Sequence, residues 1–307
     1  MTQILTTIIP IFVIIFLGWI ARMKGMIPPE FLNPANRITY YLAIPAMIFR
    51  SISQGSLKKD FQPDVLLFTL GSLLLFFFFT WFFSRIAGIP KQQSGTFVQT
   101  SFHGNLGYIG LAVAYYFLGD QGLARAGILA GFLMIVQNFL AVSVLQFHAE
   151  GLSPDKRIRE ILLKIIANPV ILSAMCGILF SLSGLPMPLL LGRSLDILRG
   201  LALPLSLLLI GASLSFAQLR SRKYLLSVSA VMKLLLLPGL GFALYRLWGI
   251  FPADFIPGLI LLASPTATIS YVMAKEMRGD ADFAVAAISL TTLLSSFSLT
   301  FWLNAAF

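Results

Sequence analysis

Apolar runs of about 20 residues recur along almost the whole chain, and they constrain its fold more than any other sequence feature. A run of that length crosses the hydrocarbon core of a bilayer as a single α-helix. The composition agrees, because 58% of the 307 residues are hydrophobic, 11% are charged and the mean hydropathy is +0.88. A soluble domain carries about 25% charged residues. The sequence therefore predicts an all-α polytopic membrane protein.

Ten apolar runs are predicted to be transmembrane helices and are called spans 1 to 10. They cover residues 3–21, 37–54, 64–84, 95–117, 123–147, 162–182, 195–216, 224–246, 256–275 and 283–304. The loops after the odd-numbered spans hold 14 of the 22 Lys and Arg residues, whereas 7 lie on the opposite side. Basic residues accumulate in cytoplasmic loops, so both termini are predicted on the non-cytoplasmic side. The net charge of +10 is attributed to this topology and not to nucleic-acid binding.

Two of the spans contain helix-breaking residues near their middle. Span 4 carries His103–Gly110 (HGNLGYIG), and span 9 carries Ser264–Ser270 (SPTATIS). Inside a membrane, broken backbone is tolerated only where protein or a water-filled cavity covers it. Interrupted segments at corresponding places in two halves of a chain indicate the substrate site of a secondary transporter.

Short landmarks recur along the chain at a nearly constant spacing. Leu42–Pro45 (LAIP) returns as Leu201–Pro204 (LALP) 159 residues later, while Gly119-Asp120 and Gly279-Asp280, and likewise Gly104-Asn105 and Ser264-Pro265, are 160 residues apart. A repeat of five spans contains an odd number, so its second copy enters the membrane from the opposite face. The sequence therefore predicts two inverted five-helix repeats, residues 1–150 and 151–307.

Motifs in three spans resemble those of a known family of carriers. Ser264–Glu276 (SPTATISYVMAKE), followed by Gly279-Asp280, resembles the ninth span of the auxin efflux carrier family. Gly104–Leu111 (GNLGYIGL) resembles the fourth span of that family, and Gln137-Asn138 the fifth. The family includes the plant PIN proteins and bacterial malonate and malate permease-like members, and the resemblance extends over essentially the whole chain.

The resemblance implies a ten-helix layout like that of sodium–bile acid symporters and a sodium–proton antiporter, in the bacterial cytoplasmic membrane. Spans 1, 2, 6 and 7 would form a scaffold and the contacts of a homodimer. Spans 3–5 and 8–10 would form a transport domain with an elevator-like motion. The broken spans 4 and 9 would cross at Gly104 and Pro265. Plant members have proline at both points, whereas glycine, found here in span 4, permits a break without forcing it.

The broken spans also predict where an anion binds. The second half of a broken helix begins with unpaired N–H groups and a partial positive charge, which attract a carboxylate. Asn105, Ser264 and Thr266 have the alternative role of only capping the broken backbone. The predicted substrate-binding residues are Gly104, Asn105, Tyr108, Gln137, Asn138, Lys233, Pro265, Thr266, Thr268 and Tyr271. Within this set, Tyr108 and Tyr271 would form an aromatic wall.

The sequence leaves alternative roles for Lys233, for His103 and for the pair Thr291 and Thr292. Lys233 lies about 15 Å into span 8, where a lysine is costly and therefore a functional hypothesis. It would neutralise a substrate carboxylate or bond carbonyls of the broken helices; the alternative is that it extends toward the cytoplasmic face. His103 is interpreted as a packing residue, with a proton relay as the alternative. Thr291 and Thr292 are interpreted as polar residues of helix packing.

The distribution of acidic residues favours an anionic cargo. All twelve Asp and Glu residues lie in loops or near span ends, whereas a cation–proton antiporter buries acids at mid-membrane. The sequence therefore predicts a secondary transporter of small organic anions, working by elevator-like alternating access. It predicts no enzyme, metal site or cofactor, and it leaves Na⁺ or H⁺ open as a coupling ion. The alternatives are a sodium-coupled symporter of the bile acid type and a carboxylate receptor that does not transport.

Overall fold

The computed structural model describes residues 2–54, 60–148, 168–216 and 222–307, and its regular elements there are helices. The α-helices are α1 Thr2–Met23, α2 Pro29–Ile38, α3 Ile44–Gln54, α4 Pro63–Ile86, α5 Lys91–Phe102, α6 Leu111–His148, α7 Pro169–Ser183, α8 Leu189–Ser213, α9 Lys223–Val231, α10 Leu237–Leu247, α11 Pro252–Ala263, α12 Ile269–Glu276 and α13 Ala281–Ala306. Short π-helices lie at Thr39–Ala43, Leu106–Gly110 and Met232–Leu236. The predicted repeat boundary at residue 150 and the start of span 6 lie outside the described residues.

Six helical stretches are long and apolar enough to cross a membrane in the described part of the chain. They are Thr2–Met23, Pro63–Ile86, Leu106–His148, Leu189–Ser213, Lys223–Leu247 and Ala281–Ala306. Pro169–Ser183 and Pro252–Ala263 are shorter apolar helices. The prediction of an all-helical polytopic membrane protein is confirmed. The ten-span inverted repeat requires more crossings than these six and stays a prediction.

The longest of these stretches is interrupted by a turn. Leu106–His148 has 43 residues, about twice the length that one crossing requires. Gly119 lies inside it with φ 69° and ψ −160°, a backbone conformation that is open to glycine and strained for residues with a Cβ. The predicted landmark Gly119-Asp120 therefore coincides with a break in the helix.

The chain divides into two compact units. The first comprises Met1–Gln62, Gly107–Phe132 and Ile166–Leu214, and the second comprises Pro63–Leu106, Leu133–Ile165 and Ser215–Phe307. Residues 107–132, which the sequence analysis assigns to spans 4 and 5, belong to the first unit. The predicted division into scaffold and transport domain stays a prediction.

In the first unit, α1 and α8 pack with their backbones close together. A Cβ added to Gly18 would overlap with the carbonyl of Leu208, and one added to Gly211 would overlap with the carbonyl of Ile15. Small residues at such a contact let membrane helices approach closely and gain van der Waals energy. Among the described residues of this unit, ion pairs form between Arg50 and Asp196, between Arg125 and Asp60, and between Arg199 and Asp120.

The second unit has an aromatic core that holds the broken helices. Phe97 and Phe102 of α5 are completely buried, and the ring of Phe102 meets that of Phe77 of α4 edge to face at 5.3 Å. Phe283 of α13 lies 6.4 Å from Phe97, measured between ring centroids. Edge-to-face and tilted pairs at these separations are the favoured arrangements of buried rings. This packing fixes the end of α5, where the candidate site begins.

Candidate functional site

The two interrupted segments meet in the second unit. α5 ends at Phe102 and α11 ends at Ala263, and beyond these ends Gly104 and Thr266 form an isolated antiparallel bridge. Asn105 N donates to Pro265 O at 2.7 Å, and Ala267 N donates to His103 O at 2.9 Å. Buried backbone groups require hydrogen-bond partners, and here each broken segment supplies them for the other. The structure thus brings Gly104 and the Pro265 segment together.

Gly104 is held by the side chain of Gln137. Gly104 N donates to Gln137 Oε1 at 3.1 Å, and Gln137 Nε2 donates to Gly104 O at 3.1 Å. Gln137 is 3% exposed, so its amide is committed to the backbone of the break. A proline at this position could not donate the first of these bonds, which is a physical reason against proline here. The exposed fraction of Asn138 is intermediate.

Thr266 supports the broken backbone on both sides. Its N–H donates to Thr291 Oγ1 at 3.1 Å, and its hydroxyl donates to Thr100 O at 2.7 Å. Ser264 Oγ donates to Ile260 O at 2.9 Å, within the last turn of α11. These contacts describe capping of the breaks, the alternative role considered for Ser264 and Thr266. The sequence analysis did not single out Thr100, although it lies one turn before the break in α5.

The place where the Gly104 and Pro265 segments meet is called the crossing. Lys233 lies beside it and is completely buried. Its Nζ donates to Leu262 O at 2.8 Å, and Nζ lies 3.4 Å from the position that a Cβ on Gly104 would take. The hypothesis that Lys233 bonds a carbonyl of a broken helix therefore describes its observed contact. The alternative that it extends toward the cytoplasmic face is wrong, because its side chain is 0% exposed and bonded inside the unit.

The backbone around Lys233 forms a π-helix, Met232–Leu236. The wider turn frees a carbonyl oxygen for partners outside the helix: Leu234 O accepts from Ser298 Oγ at 2.6 Å and from Trp302 Nε1 at 2.9 Å. Single π-turns inside α-helices occur frequently at functional sites. The two donors from α13 anchor the turn, so the lysine has a fixed position.

Buried polar atoms without a hydrogen-bond partner among the described residues also occur around the breaks: Gln99 Oε1, His103 Nδ1, Ser270 Oγ and Thr292 Oγ1. Gln99 Nε2 donates to Met273 Sδ at 3.3 Å, while His103 O accepts from Ala267 N. Ser270 N donates to Ala267 O at 3.0 Å. Buried polar groups normally have protein, water or ligand partners, so these atoms can accept a ligand or ordered water.

The remaining predicted residues have separate surroundings. Asn105 is 6% exposed, and Thr268, the residue before α12, is partly exposed and makes no side-chain capping bond. Tyr271 is partly exposed, and Lys275 Nζ lies 5.9 Å from its ring centroid. Tyr108 belongs to the first unit, where its hydroxyl donates to Asn36 Oδ1 at 3.1 Å. The aromatic wall of Tyr108 and Tyr271 stays a prediction.

The described part of the chain has no cluster of metal ligands and one buried acid. No group of three His, Cys, Asp or Glu residues that could hold a metal occurs in the described part of the chain. Among the described acids, Asp60 alone is buried, and Arg125 and Gln121 bind it. Asp60 belongs to the first unit. The crossing therefore combines a buried lysine with neutral polar groups.

Comparisons with known proteins place the chain among transporters. It matches the family model described as membrane transport protein over residues 3–303. It is 27% identical over 306 residues to a Rhizobium meliloti protein named "Putative malonate transporter", covering 98% of this chain and 95% of that protein. It is 25% identical over 300 residues to an "Uncharacterized transporter" of Methanothermobacter thermautotrophicus, with 96% of each covered. A Methanocaldococcus jannaschii protein, also named an "Uncharacterized transporter", is 22% identical over 308 residues, with 95% of each covered. The chain belongs to the membrane transport protein family, also called the auxin efflux carrier family.

Proposed function

We propose that the protein is a secondary transporter of small organic anions that carry a carboxylate. The observation that carries this proposal is the basic residue at the crossing: Lys233 is buried there, while the acids of the described residues lie elsewhere. The protonated form of this lysine attracts an anion and repels a cation, and a bound anion in turn stabilises that form. A cation carrier would require the opposite arrangement, with buried acids.

The cargo class is chosen from the site and from one relative. The polar groups of Ser270 and Thr292, together with Asn105, offer hydrogen bonds to a carboxylate. The Rhizobium meliloti relative is named a malonate transporter, so malonate is the first cargo to test. We propose Gly104, Tyr108, Gln137, Asn138, Pro265, Thr266, Thr268 and Tyr271 as further residues of the site, and the contacts above favour a supporting role for Gln137 and Thr266.

The transport mechanism we propose is elevator-like alternating access. The chain would form ten spans in two inverted repeats, residues 1–150 and 151–307, with spans 1, 2, 6 and 7 as scaffold and spans 3–5 and 8–10 as transport domain. The protein would be a homodimer through its scaffold in the bacterial cytoplasmic membrane, with both termini on the non-cytoplasmic side. The paired breaks support this proposal, because midplane sites of transporters are built from discontinuous helices.

A sodium-coupled organic-anion symporter is the second candidate function. The buried oxygens Gln99 Oε1, Ser270 Oγ and Thr292 Oγ1 favour it, since Na⁺ is a hard cation that neutral oxygen ligands can hold. A carboxylate receptor that does not transport is a third candidate, with the same binding chemistry. Sodium dependence separates the symporter from the carrier, and counterflow separates both from the receptor.

Thermal stability of the purified protein tests the binding step. A ligand that binds the native state raises the apparent melting temperature. We expect malonate or another carboxylate to raise it in both sodium and potassium buffers, and we expect Asn105→Ala to reduce this shift while remaining folded. A shift that appears only in sodium would favour the symporter. If Asn105→Ala retains the full shift, the placement of the site is wrong.

A further inference from the structure

Lys233 is a buried amine without an acidic partner among the residues that the structure describes. Its side chain is completely buried, and its Nζ donates to Leu262 O at 2.8 Å. That hydrogen bond uses one N–H, which a neutral amine and an ammonium group both possess. The ion pairs formed by the described residues involve other basic side chains. The contact of Lys233 therefore fits either protonation state, and its surroundings decide between them.

The helices around Lys233 carry their charged groups far from it. Its π-helix contacts α5, α11 and α13, and it continues into α9 on one side and α10 on the other. The ionisable side chains within these helices are Lys91, Lys223, Tyr224, Tyr245, Arg246, Asp254 and Asp282. Each lies eight or more residues along its helix from Lys233 or from the crossing, which is about 12 Å or more. The ionisable neighbour is His103, just after α5, which interacts electrostatically with Lys233.

An anion at the crossing would change these surroundings. Burial penalises the charged form of an amine, whereas an opposite charge a few ångströms away favours it. Nζ of Lys233 lies 3.4 Å from the position that a Cβ on Gly104 would take, so an anion held at the crossing would lie close to the amine. Such coupling is reciprocal: if the anion favours a proton on Lys233, the proton strengthens binding of the anion by the same factor.

We propose that Lys233 is a neutral amine in the empty site and takes up one proton when an anion binds, so that each anion moves together with a proton. The proton comes from water on the side to which the site is open and adds to the lone pair of the amine. It returns to water on the other side when the anion leaves. The inference rests on the proposed function, because it uses the same anion site. It names the proton as the coupling ion and Lys233 as the residue that holds it.

The first test counts the protons taken up for each anion bound. The purified protein is titrated with malonate in a calorimeter at about pH 8, where carboxyl groups are ionised. The titration is repeated in buffers of different ionisation enthalpy, and the dependence of the observed heat on that enthalpy gives the proton number. We expect about one proton per malonate for the wild type. The affinity for malonate should then fall about tenfold per pH unit as the pH rises, because the proton becomes scarcer.

Three variants assign the proton to one residue. Lys233→Arg keeps a side chain that stays charged, so it should bind malonate with about zero protons taken up. Lys223→Met is the matched control, since it removes an exposed lysine at the start of α9, and it should retain the wild-type proton number. His103→Gln should retain it as well, because the proposal places the proton on Lys233 and not on its ionisable neighbour.

The second test follows the proton during transport. Proteoliposomes contain a pH-sensitive dye, their membrane potential is clamped, and labelled malonate is added outside. We expect entry of malonate to acidify the lumen when the vesicles contain the wild-type protein, and vesicles without protein should show neither change.

Three outcomes overturn the inference. One is wild-type binding of malonate without proton uptake, a result that requires no variant to fold. Another is a proton number that His103→Gln loses and Lys233→Arg retains. The third is entry of malonate without acidification of the lumen. A wild-type protein that binds neither malonate nor any other carboxylate contradicts the proposed function itself, so the two failures are distinguishable.

Discussion

The substitution Gln137→Leu is the most direct single-residue test of the hydrogen bonds that hold Gly104 at the crossing. The change keeps the approximate size of the side chain and removes both hydrogen bonds to Gly104, each 3.1 Å long. The N–H of Gly104 then stays buried without this partner, whereas Gly104 O keeps the hydrogen bond that Leu106 N donates to it at 3.0 Å. The unsatisfied N–H costs about 1–3 kcal/mol and the lost second bond about 0.5–1.5 kcal/mol, so the total loss is about 1.5–4.5 kcal/mol.

The measurement is the melting temperature in detergent, in the absence of ligand. At about 2–4 °C per kcal/mol, Gln137→Leu should melt roughly 3–18 °C below the wild type. The matched control is Asn138→Leu, next to it on the same helix and partly exposed, which should change the melting temperature by much less. If Gln137→Leu has the same melting temperature as the wild type or as the control, the two hydrogen bonds do not stabilise the crossing.

The remaining substitutions test other contacts, each against a neighbour on the same helix. Gly211→Ala should prevent close packing of α1 on α8 and lower the yield of folded protein, whereas Gly200→Ala, which has open space around it, should not; size-exclusion profiles of the two variants measure this. Thr291→Val removes the acceptor for Thr266 N and should destabilise by about 1–3 kcal/mol in thermal unfolding. Thr292→Val removes a hydroxyl without a partner among the described residues, so equal destabilisation by both would contradict the assigned contacts.

The general architecture could be predicted from local sequence features. Apolar runs and punctuation by glycine and proline predict membrane helices, because the bilayer imposes a length and a composition on each crossing. Polar residues and glycines inside two of those runs indicated the breaks at Gly104 and Pro265. Each of these signals lies within about 20 consecutive residues, so it can be recognised without knowing how the helices pack.

The partners of the breaks could not be predicted in the same way. Gln137 bonds Gly104 across 33 positions, and Thr100 accepts from Thr266 across 166 positions. Such pairs depend on how separate helices pack, and Gln137 and Asn138 look equivalent in the sequence. The π-turn at Lys233 likewise depends on donors from α13, far along the chain.

Counterflow of labelled malonate into proteoliposomes tests the central claim most directly. Vesicles preloaded with unlabelled malonate should accumulate the label transiently when they contain the wild-type protein, and vesicles without protein should not. Asn105→Ala, reconstituted to the same density, should reduce the initial rate. Binding of malonate without any counterflow would contradict transport and favour a receptor, and the absence of both for every carboxylate tested would contradict the anion site itself.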